Sequence, residues 1–401
     1  MLPEKERLRL RDLAKRQIEL AESERNRRLY TDWEAHGCMA GNSRPMVTVE
    51  LWSFANEIIP PMMACESPEG RSMEYALLSN TVNFELFHDD TVVRNYMPNA
   101  TPTYLIPFGL PSKREETGGL GHQFISQISD LRRDFHKLKK SETIQYSTAP
   151  PRLLTDTIGD ILPERPVGSV YVACPLQDIV HIMSMEDMYV AMLDEPELFH
   201  KMMDMLTNDY ISLAEQRENE GLLPTNGDLH LPQGGCCFTG DLPSEGERLK
   251  NSQIWACMDA QEAAGISPAM YHEFVYPYYK RISRRFGHLS YGCCEAVHPI
   301  WEDVSSFDNL RKVSISPWCD EVRMGEALRG RRVVYLRKPS SNFLGVGGAL
   351  DESAVREYIK ATLRAARGCV IEFIQRDVYT ISGNVSKVQR YVQILRESIG
   401  D

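Results

Sequence analysis

The chain has 401 residues, of which 42% are hydrophobic and 25% are charged, so it can bury a large core and is not expected to be disordered. Its formal net charge of −11 argues against a general nucleic-acid-binding protein, because the nucleic-acid backbone is itself negative. Ten cysteines without regular spacing do not resemble a disulfide framework, and no apolar run approaches the roughly 20 residues that span a bilayer. No signal peptide is recognisable, so we expect a cytoplasmic protein whose partners include neither membrane nor nucleic acid.

The first 43 residues predict a helical extension. From residue 4 to about residue 35, leucine and isoleucine recur among charged residues as a partial apolar stripe, which is typical of one long amphipathic helix. A helix this polar is expected to pack across the outside of a domain or to contribute to a dimer contact. We therefore divide the chain into an extension, 1–43, and a main domain, 44–401.

The main domain contains strand-like apolar runs that alternate with helical segments. Eight such runs lie at 44–52, 103–109, 168–175, 252–258, 288–292, 312–317, 332–336 and 369–374. Their residues are nearly all apolar, as in a parallel sheet that is covered on both faces, and eight is the strand number of the (β/α)8 barrel. We predict an α/β fold of this TIM-barrel type, with inserted loops that include a long excursion at about 111–165.

An open, doubly wound sheet is the alternative fold. It is weakened because no Gly-x-Gly-x-x-Gly motif follows a predicted strand and no Gly-x-x-x-x-Gly-Lys-Ser/Thr phosphate loop occurs. The Gly-rich stretch 345–348 is too short to count as a phosphate loop.

The stretch 288–298 is the first candidate for a functional site. A short apolar run ends there in Cys293, Cys294 and Glu295, and His298 follows before the next helical segment. In a parallel barrel the C-terminal ends of the strands carry the chemistry, and thiols, carboxylates and histidines serve as metal ligands or acid/base groups. The competing interpretation is packing, because free cysteine is among the residue types most often buried.

Other predicted strand exits supply further candidates. Asp259 and Gln261 follow the fourth strand, where a catalytic role competes with helix capping. Arg337 and Lys338 follow the seventh strand, where an anion clamp competes with an exposed ion pair. The remaining candidates are Tyr291 as a catalytic residue beside the cysteines, and Glu50, Trp52, His230 and Arg376 as substrate-binding residues.

The segment 267–281 resembles the uroporphyrinogen decarboxylase superfamily. It reads Ser-Pro-Ala-Met-Tyr-His-Glu-Phe-Val-Tyr-Pro-Tyr-Tyr-Lys-Arg, and the family pattern is Ser-Pro-x-x-Tyr/Phe-x-x-Phe-x-x-Pro-Tyr-x-Lys. The resemblance extends from about residue 45 to the C-terminus and includes 194–201 and 337–339. It implies a (β/α)8 barrel and a homodimer. It also implies one of two activities, porphyrinogen decarboxylation or zinc-dependent transfer of corrinoid-bound methyl groups.

The two branches of that superfamily differ at testable positions. The decarboxylase opens with Arg-Gln-Ala-Gly-Arg-Tyr to hold substrate carboxylates, whereas residues 47–52 here read Val-Thr-Val-Glu-Leu-Trp, with a carboxylate that would repel a tetracarboxylate. The methyltransferase branch places His-x-Cys at the end of the fifth strand and another Cys after the eighth, all three on zinc. The matching residues here are Tyr291-Gly-Cys293 and Gln375-Arg-Asp377, so two of the three ligands are missing. Either no zinc binds, or Cys293 joins a different set drawn from Cys294, Glu295, Asp259, His230 or Asp377.

We favour a methyltransferase of the corrinoid-linked type, which moves a methyl group between a small substrate or folate and a corrinoid protein. Cys293 would be the central metal ligand or polar group, and Asp259 and Glu295 would be its acid/base partners. No Asp-x-His-x-x-Gly cobalamin motif occurs, so the corrinoid would arrive on a partner protein.

Two alternatives stay open. The first is a metal-independent decarboxylase or lyase whose small carboxylic acid is held by Arg337, Lys338 or Arg376. The second is a non-catalytic barrel that binds a corrinoid protein or a tetrapyrrole. Bound metal favours methyl transfer, turnover without metal favours the lyase, and binding without turnover favours the scaffold.

Overall fold

The computed structural model describes residues 2–41, 43–118, 121–224, 238–243 and 248–400. Its α-helices are α1 (Glu4–Ala21), α2 (Glu24–Gly37), α3 (Ala55–Ile58), α4 (Pro68–Ser79), α5 (Leu131–Asp134), α6 (Arg152–Ile158), α7 (Pro175–Val180), α8 (Met185–Asp194), α9 (Pro196–Glu220), α10 (Pro268–Phe274), α11 (Tyr276–Ser283), α12 (Trp301–Val304), α13 (Glu321–Leu328), α14 (Asn342–Gly345), α15 (Glu352–Ala365) and α16 (Val385–Ile399). Its strands are β1 (Met46–Val49), β2 (Met97–Ala100), β3 (Thr103–Ile106), β4 (Arg114–Gly118), β5 (Gly121–Phe124), β6 (Glu142–Gln145), β7 (Glu164–Val167), β8 (Tyr171–Ala173), β9 (Trp255–Met258), β10 (His288–Tyr291), β11 (Leu310–Ile315), β12 (Val334–Arg337) and β13 (Val370–Gln375). Short 3-10 turns lie at Pro60–Met62, Pro107–Gly109, Phe135–Lys137, Asn251–Gln253, Gln261–Gly265 and His298–Ile300, and Asn83–Phe87 is a π-helix. Within these described ranges, no helix combines the length and the apolar character needed to cross a membrane.

Seven strands form one parallel sheet in the order β1-β13-β12-β11-β10-β9-β8. The register places Ser290 of β10 beside Cys257 of β9 and Lys312 of β11. Parallel strands that are joined by helices bring all their C-terminal ends to one edge of the sheet, which we call the mouth. This is the barrel-like α/β arrangement that the sequence predicts, although the sheet is not closed within the described part of the chain.

The second predicted strand, 103–109, lies outside this sheet, so that prediction is wrong. Its residues form β3, which pairs antiparallel with β6. Pro102 still accepts a hydrogen bond from the backbone N–H of Tyr146 (3.0 Å), whereas Pro107, which follows β3, has no N–H to donate. The other seven predicted strands overlap β1, β8, β9, β10, β11, β12 and β13 of the parallel sheet.

Two carboxylates cover the outer edge of β1. The backbone N–H of Val47 donates to Asp90 Oδ2 (2.6 Å), and that of Val49 donates to Asp89 Oδ2 (2.8 Å). The backbone N–H of Asp90 in turn donates to Val47 O (2.7 Å). Both aspartates are fully buried, so their side chains satisfy strand donors that a neighbouring strand would otherwise bind.

The N-terminal extension contains two helices where one long helix is predicted. Ser23 separates α1 from α2, because its side chain accepts a hydrogen bond from Asn26 N and caps α2. Helix α1 packs against α4 and α6. Helix α2 places Trp33 and His36 against the N-terminal end of the sheet, where both are buried. The break at Ser23 therefore lets one extension cover two different surfaces of the main domain.

Alternate residues of the central strands face opposite sides of the sheet. Leu289 and Tyr291 of β10 pack in the core shared with the helices. On the concave side, Lys312 Nζ of β11 lies 2.6 Å from Glu372 Oε2 of β13, with the intervening strand β12 between them. His36 Nε2 lies 3.5 Å from the same carboxylate oxygen. The interior of the sheet thus contains a buried ion pair that joins two non-adjacent strands.

Replacing Lys312 with Met is expected to lower the free energy of unfolding by about 3–5 kcal/mol, because the variant leaves the Glu372 carboxylate buried without its cation. Urea denaturation followed by circular dichroism measures the change. The matched control is Lys360→Met, which removes an exposed pair with Glu357 and is expected to change the free energy by less than about 0.5 kcal/mol. Equal effects of the two substitutions would contradict a structural role for the interior pair.

Candidate functional site

Two adjacent cysteines lie at the centre of the candidate site. Cys293 and Cys294 follow β10, beyond Gly292, whose φ of +91° turns the chain at the mouth. The two sulfur atoms lie 3.7 Å apart, and Cys293 is 7% exposed. The carbonyl of Cys293 accepts hydrogen bonds from Lys338 Nζ (3.0 Å) and Ser314 Oγ (2.7 Å). Residues of β11 and of the β12 exit therefore hold this turn in place.

The exit of β13 brings a second cation to the thiols. Arg376 Nη1 lies 3.8 Å from Cys293 Sγ, and Arg376 Nη2 lies 3.5 Å from Glu50 Oε1. The backbone N–H of Asp377 donates to Glu50 Oε2 (3.0 Å), and Asp377 Oδ2 lies 3.9 Å from Cys294 Sγ. Asp377 adopts a left-handed φ of +59°, which Asp tolerates better than most side chains. Glu50 thus connects the exits of β1 and β13 and orients the arginine.

The two thiols differ in acidity. A hydrogen bond donated by Cys293 lowers the pKa of Cys294, and the positive charges of Lys338 and Arg376 act in the same direction. The same hydrogen bond, together with burial, raises the pKa of Cys293. Cys294 is therefore the more acidic thiol of the pair. A thiolate beside two cations can act as a nucleophile or as a base.

Glu295 connects the exits of β9 and β10. Its Oε1 accepts the backbone N–H of Ala260 (3.0 Å), and its Oε2 accepts the backbone N–H of Cys293 (2.8 Å). Burial, together with the negative charge of Asp259, raises the pKa of Glu295. Because both carboxylate oxygens bind backbone groups, the geometry gives Glu295 the role of positioning Cys293. Gln261 Nε2 donates to Asp259 Oδ1 (3.4 Å), so this predicted pair does lie together.

We call the part of the site that contains Asp259 and Glu295 its acidic side. The carboxyl groups of Glu262 and Asp178 also belong to it, and neither residue was predicted from the sequence. Burial raises the pKa of Glu262 to about 8, and its Oε2 has no hydrogen-bond partner in the described residues. Burial also raises the pKa of Asp178 to about 7, although Tyr210 OH donates to its Oδ2 at 2.5 Å. Glu262 follows the exit of β9, and Asp178 follows the exit of β8. This position in the sequence could have identified both as candidate site residues.

A cavity of about 600 Å³ opens beside β8. Asp178, Cys174 and Tyr210 line it together with Arg217 and Tyr104. Burial raises the pKa of the Cys174 thiol, and the negative charge of Asp259 acts in the same direction. The cavity therefore reaches the acidic side of the site and is large enough for a small organic molecule.

Two predicted site residues face the helices instead of the concave side. Tyr291 OH lies 2.5 Å from Tyr271 OH of α10. Arg337 donates to Ser316 O (2.7 Å) and also binds Glu321 and Tyr358. Each stands in a strand at a position whose side chain points away from the interior, because side chains alternate along a strand. The structure does not bring them to the thiols, whereas Lys338, one residue later, does reach the site.

Two other sequence candidates lie apart from this arrangement. Trp52 is 66% exposed beyond the exit of β1. His298 Nδ1 accepts a hydrogen bond from the backbone N–H of Asp320 (3.2 Å), which joins two exit loops. His230 falls outside the described residues, and its role stays a prediction.

The described side chains around the thiols do not by themselves complete a zinc site. Among the described residues, no three His, Cys, Asp or Glu side chains form a group that could hold a metal. Cys293, Cys294 and Asp377 approach one another, but Arg376 lies 3.8 Å from Cys293 Sγ and Lys338 binds the Cys293 carbonyl. Lys338 and Arg376 supply positive charge beside the thiols, and Arg376 is itself paired with Glu50 and Asp377.

Comparison with known proteins bears on the fold. No family model matches the sequence, and no curated protein matches it. A solved methyltransferase from Methanosarcina mazei superposes with a TM-score of 0.51 at 12% sequence identity, over 92% of this chain and 98% of that chain. At this identity the likeness establishes the fold alone, and it does so along nearly the whole length of both proteins.

The stability of the protein is expected to depend on pH through Glu262. Burial raises its pKa to about 8 in the folded protein from an ordinary value of 4.5, so between these pH values the folded state binds a proton that the unfolded state has lost. The free energy of unfolding therefore falls as the pH rises through this window. Glu262→Gln removes this dependence. The free energy of unfolding of the variant minus that of the wild type should therefore increase by about 2 kcal/mol between pH 6 and pH 9.

Urea denaturation of both proteins at the two pH values measures this difference. Glu186→Gln is the matched control, because Glu186 is exposed in the first turn of α8. Its effect is expected to be the same at both pH values. A constant difference between Glu262→Gln and the wild type would show that Glu262 is ionised throughout.

Proposed function

We propose that the protein is a methyltransferase of the corrinoid-linked type, within the uroporphyrinogen decarboxylase superfamily. The observation that carries the proposal is the pair of thiols Cys293–Cys294, held between Lys338 and Arg376 at the mouth of the sheet. Methyl transfer needs a nucleophile that is deprotonated near neutral pH, and this pair supplies a base for it. The fold shared with the Methanosarcina mazei methyltransferase is consistent with the same proposal.

The roles of the side chains follow from their contacts. A small thiol substrate would enter beside Cys294, and its proton would pass to Cys294 Sγ as its own sulfur forms the new bond to the methyl carbon. Lys338 and Arg376 would stabilise the negative charge on the sulfur atoms before transfer. Glu295 would hold the Cys293 backbone in position. The corrinoid, when bound, would supply the methyl group and would keep the electron pair of the bond that breaks, so no step requires a zinc ion.

The rim of the mouth has exposed apolar side chains that are suited to the docking of a large partner protein. Trp52, Trp318, Val346 and Tyr379 are 58–75% exposed, and they follow the exits of the adjacent strands β1, β11, β12 and β13. Exposed large apolar side chains that cluster at one edge are typical of an interaction surface. We propose that a corrinoid-carrying protein docks there. A homodimer is a further proposal, which rests on the superfamily resemblance.

A metal-independent decarboxylase or lyase is the second candidate, and the buried acids favour it. Glu262 has a pKa of about 8, so it is largely protonated at neutral pH. Lys338 or Arg376 would hold a substrate carboxylate, the C–C bond to the departing CO2 would break, and Glu262 would give its proton to the carbanion. This route uses the acidic side of the site, whereas methyl transfer uses the thiols.

Methyl transfer from methylcobalamin to 2-mercaptoethanol is expected to be catalysed by the wild type and to fall by about 100-fold or more in Cys294→Ser, because the variant lacks the base. Loss of the methylcobalamin absorption gives the rate, and mass spectrometry of the thioether identifies the product. Cys369→Ser is the control, since Cys369 lies at the opposite end of β13 and its substitution should leave the rate unchanged. Equal rates in the two variants would exclude the thiol mechanism.

Two accompanying measurements separate the alternatives. Elemental analysis that found about one zinc per chain, lost in Cys293→Ser, would require a metal in the mechanism. Release of CO2 from malonate or oxaloacetate in the presence of a chelator, abolished by Glu262→Gln, would favour the lyase. Binding of methylcobalamin without turnover in either assay would favour the non-catalytic scaffold.

A further inference from the structure

A second cavity lies at the end of the sheet opposite the mouth. It has a volume of about 460 Å³, and its lining residues are Arg25, Arg28, Leu29, Asp32, Arg44, His88, Asp90 and Arg396. Four arginines face two aspartates, so the lining carries two excess positive charges with His88 neutral. In a chain whose net charge is −11, such a local excess needs an explanation.

The aspartates neutralise two of the arginines. Arg44 Nε lies 2.9 Å from Asp32 Oδ2, and Arg44 Nη2 lies 2.8 Å from Asp90 Oδ1. Arg396 Nη2 lies 2.5 Å from the same Asp90 oxygen. Asp90 Oδ2 also accepts the backbone N–H of Val47, so this carboxylate is fully engaged. The excess charge of the cavity therefore resides on Arg25 and Arg28.

Arg25 is charged, half-buried and bound only to neutral groups. Its Nη1 donates to Phe84 O (2.7 Å) and its Nη2 to Asp89 O (3.0 Å), while its guanidinium lies 4.0 Å from the centroid of the Phe84 ring. Burial lowers the pKa of Arg25. The charges of Asp89 and Asp90 act on Arg25, but neither carboxylate forms an ion pair with it. An anion that contacts the guanidinium would therefore gain a charge-assisted hydrogen bond.

Arg28 and His88 complete the surface. Arg28 lies three residues after Arg25 on α2, hence on the same helix face, and it is exposed. In the described part of the chain it makes neither a hydrogen bond nor an ion pair with any protein group. His88 is exposed, has a left-handed φ of +56°, and places Nδ1 3.4 Å from Arg25 Nη1. Three nitrogen-bearing side chains therefore surround one accessible space.

We propose that this cavity binds the phosphate group of a small phosphorylated molecule, with Arg25 and Arg28 as the principal ligands. Guanidinium groups match the oxygen geometry of phosphate, and a dianion balances the two excess positive charges. The volume exceeds that of a phosphate ion several-fold, and Leu29 supplies an apolar wall, so an organic group attached to the phosphate can be enclosed with it.

The site adjoins the segment that supports β1. Arg25 binds the Asp89 carbonyl, and the Asp89 side chain binds the N–H of Val49, the last residue of β1. Glu50 comes next and contacts Arg376 at the mouth. A ligand at this cavity would therefore stabilise the segment that positions the first strand, and this stabilisation does not depend on the activity proposed for the mouth.

The test is isothermal titration of the full-length protein with inorganic phosphate, adenosine 5′-monophosphate and acetate at low ionic strength. Phosphate or the nucleotide should bind, and Arg28→Gln should weaken that binding by about tenfold, because one charge-assisted contact is lost. Arg28 is exposed and makes no internal contact, so this variant should fold like the wild type. Tighter binding of the nucleotide than of phosphate would assign the site to phosphate esters, and the reverse order would assign it to the inorganic ion.

Arg27→Gln is the matched control, because Arg27 is an adjacent exposed arginine that does not line the cavity. It should leave binding within about twofold of the wild type. Three results would overturn the proposal: no binding of either phosphate compound, equal weakening by Arg27→Gln and Arg28→Gln, or acetate binding as tightly as phosphate. Methylcobalamin turnover by Arg28→Gln, measured in parallel, shows whether the mouth is intact and keeps the two proposals separate.

Discussion

The alternation of side chains along parallel strands is the constraint on which the site depends. Every second residue of a strand points into the concave side, and all strands of the sheet end at the same mouth. Asp259, Cys293, Lys338 and Arg376 come from four different strand exits and are adjacent only for this reason. A shift of one residue separates Lys338, whose amine binds the Cys293 carbonyl, from Arg337, whose guanidinium binds Glu321 under the helices.

The mouth divides into a cationic and an acidic side. Lys338 and Arg376 accompany the thiols, while Asp259, Glu262 and Asp178 follow the exits of β9 and β8. In a medium of low polarity, such a division holds a thiol of lowered pKa and carboxyl groups of raised pKa within one site. One side therefore suits a nucleophile that must lose a proton, and the other suits a group that must deliver one. The two proposed activities correspond to these two sides.

The N-terminal extension covers the main domain and also contacts the residues that position its strands. Trp33 and His36 of α2 reach the buried Lys312–Glu372 pair, and Arg25 of the same helix binds the segment that supports β1. Asp89 and Asp90 replace a neighbouring strand along the edge of β1. The first strand is consequently held by side chains on one edge and by β13 on the other. Its position controls Glu50 and, through Glu50, Arg376.

The fold class and the location of the candidate site at the strand exits could be predicted from the sequence. Long apolar runs that alternate with amphipathic helices can hardly fold except as a covered parallel sheet, so seven of its strands and the cysteine turn after β10 were predictable. Local patterns also account for two wrong predictions. The segment 103–109 was assigned to the barrel because β3 is apolar enough to resemble a barrel strand. One long N-terminal helix was predicted because Ser23 can be recognised as a cap only once the helix on each side is known.

Which of the candidate site residues contact one another depends on the folded structure. The direction of a strand side chain depends on where the strand begins relative to its neighbours, and a register of this kind is set by contacts between distant segments. Tyr291 and Arg337 were therefore indistinguishable in sequence from Cys293 and Lys338. Burial also arises from the whole fold, so neither the raised pKa values of Glu262 and Asp178 nor the absence of an ion pair at Arg25 can be recognised in the sequence.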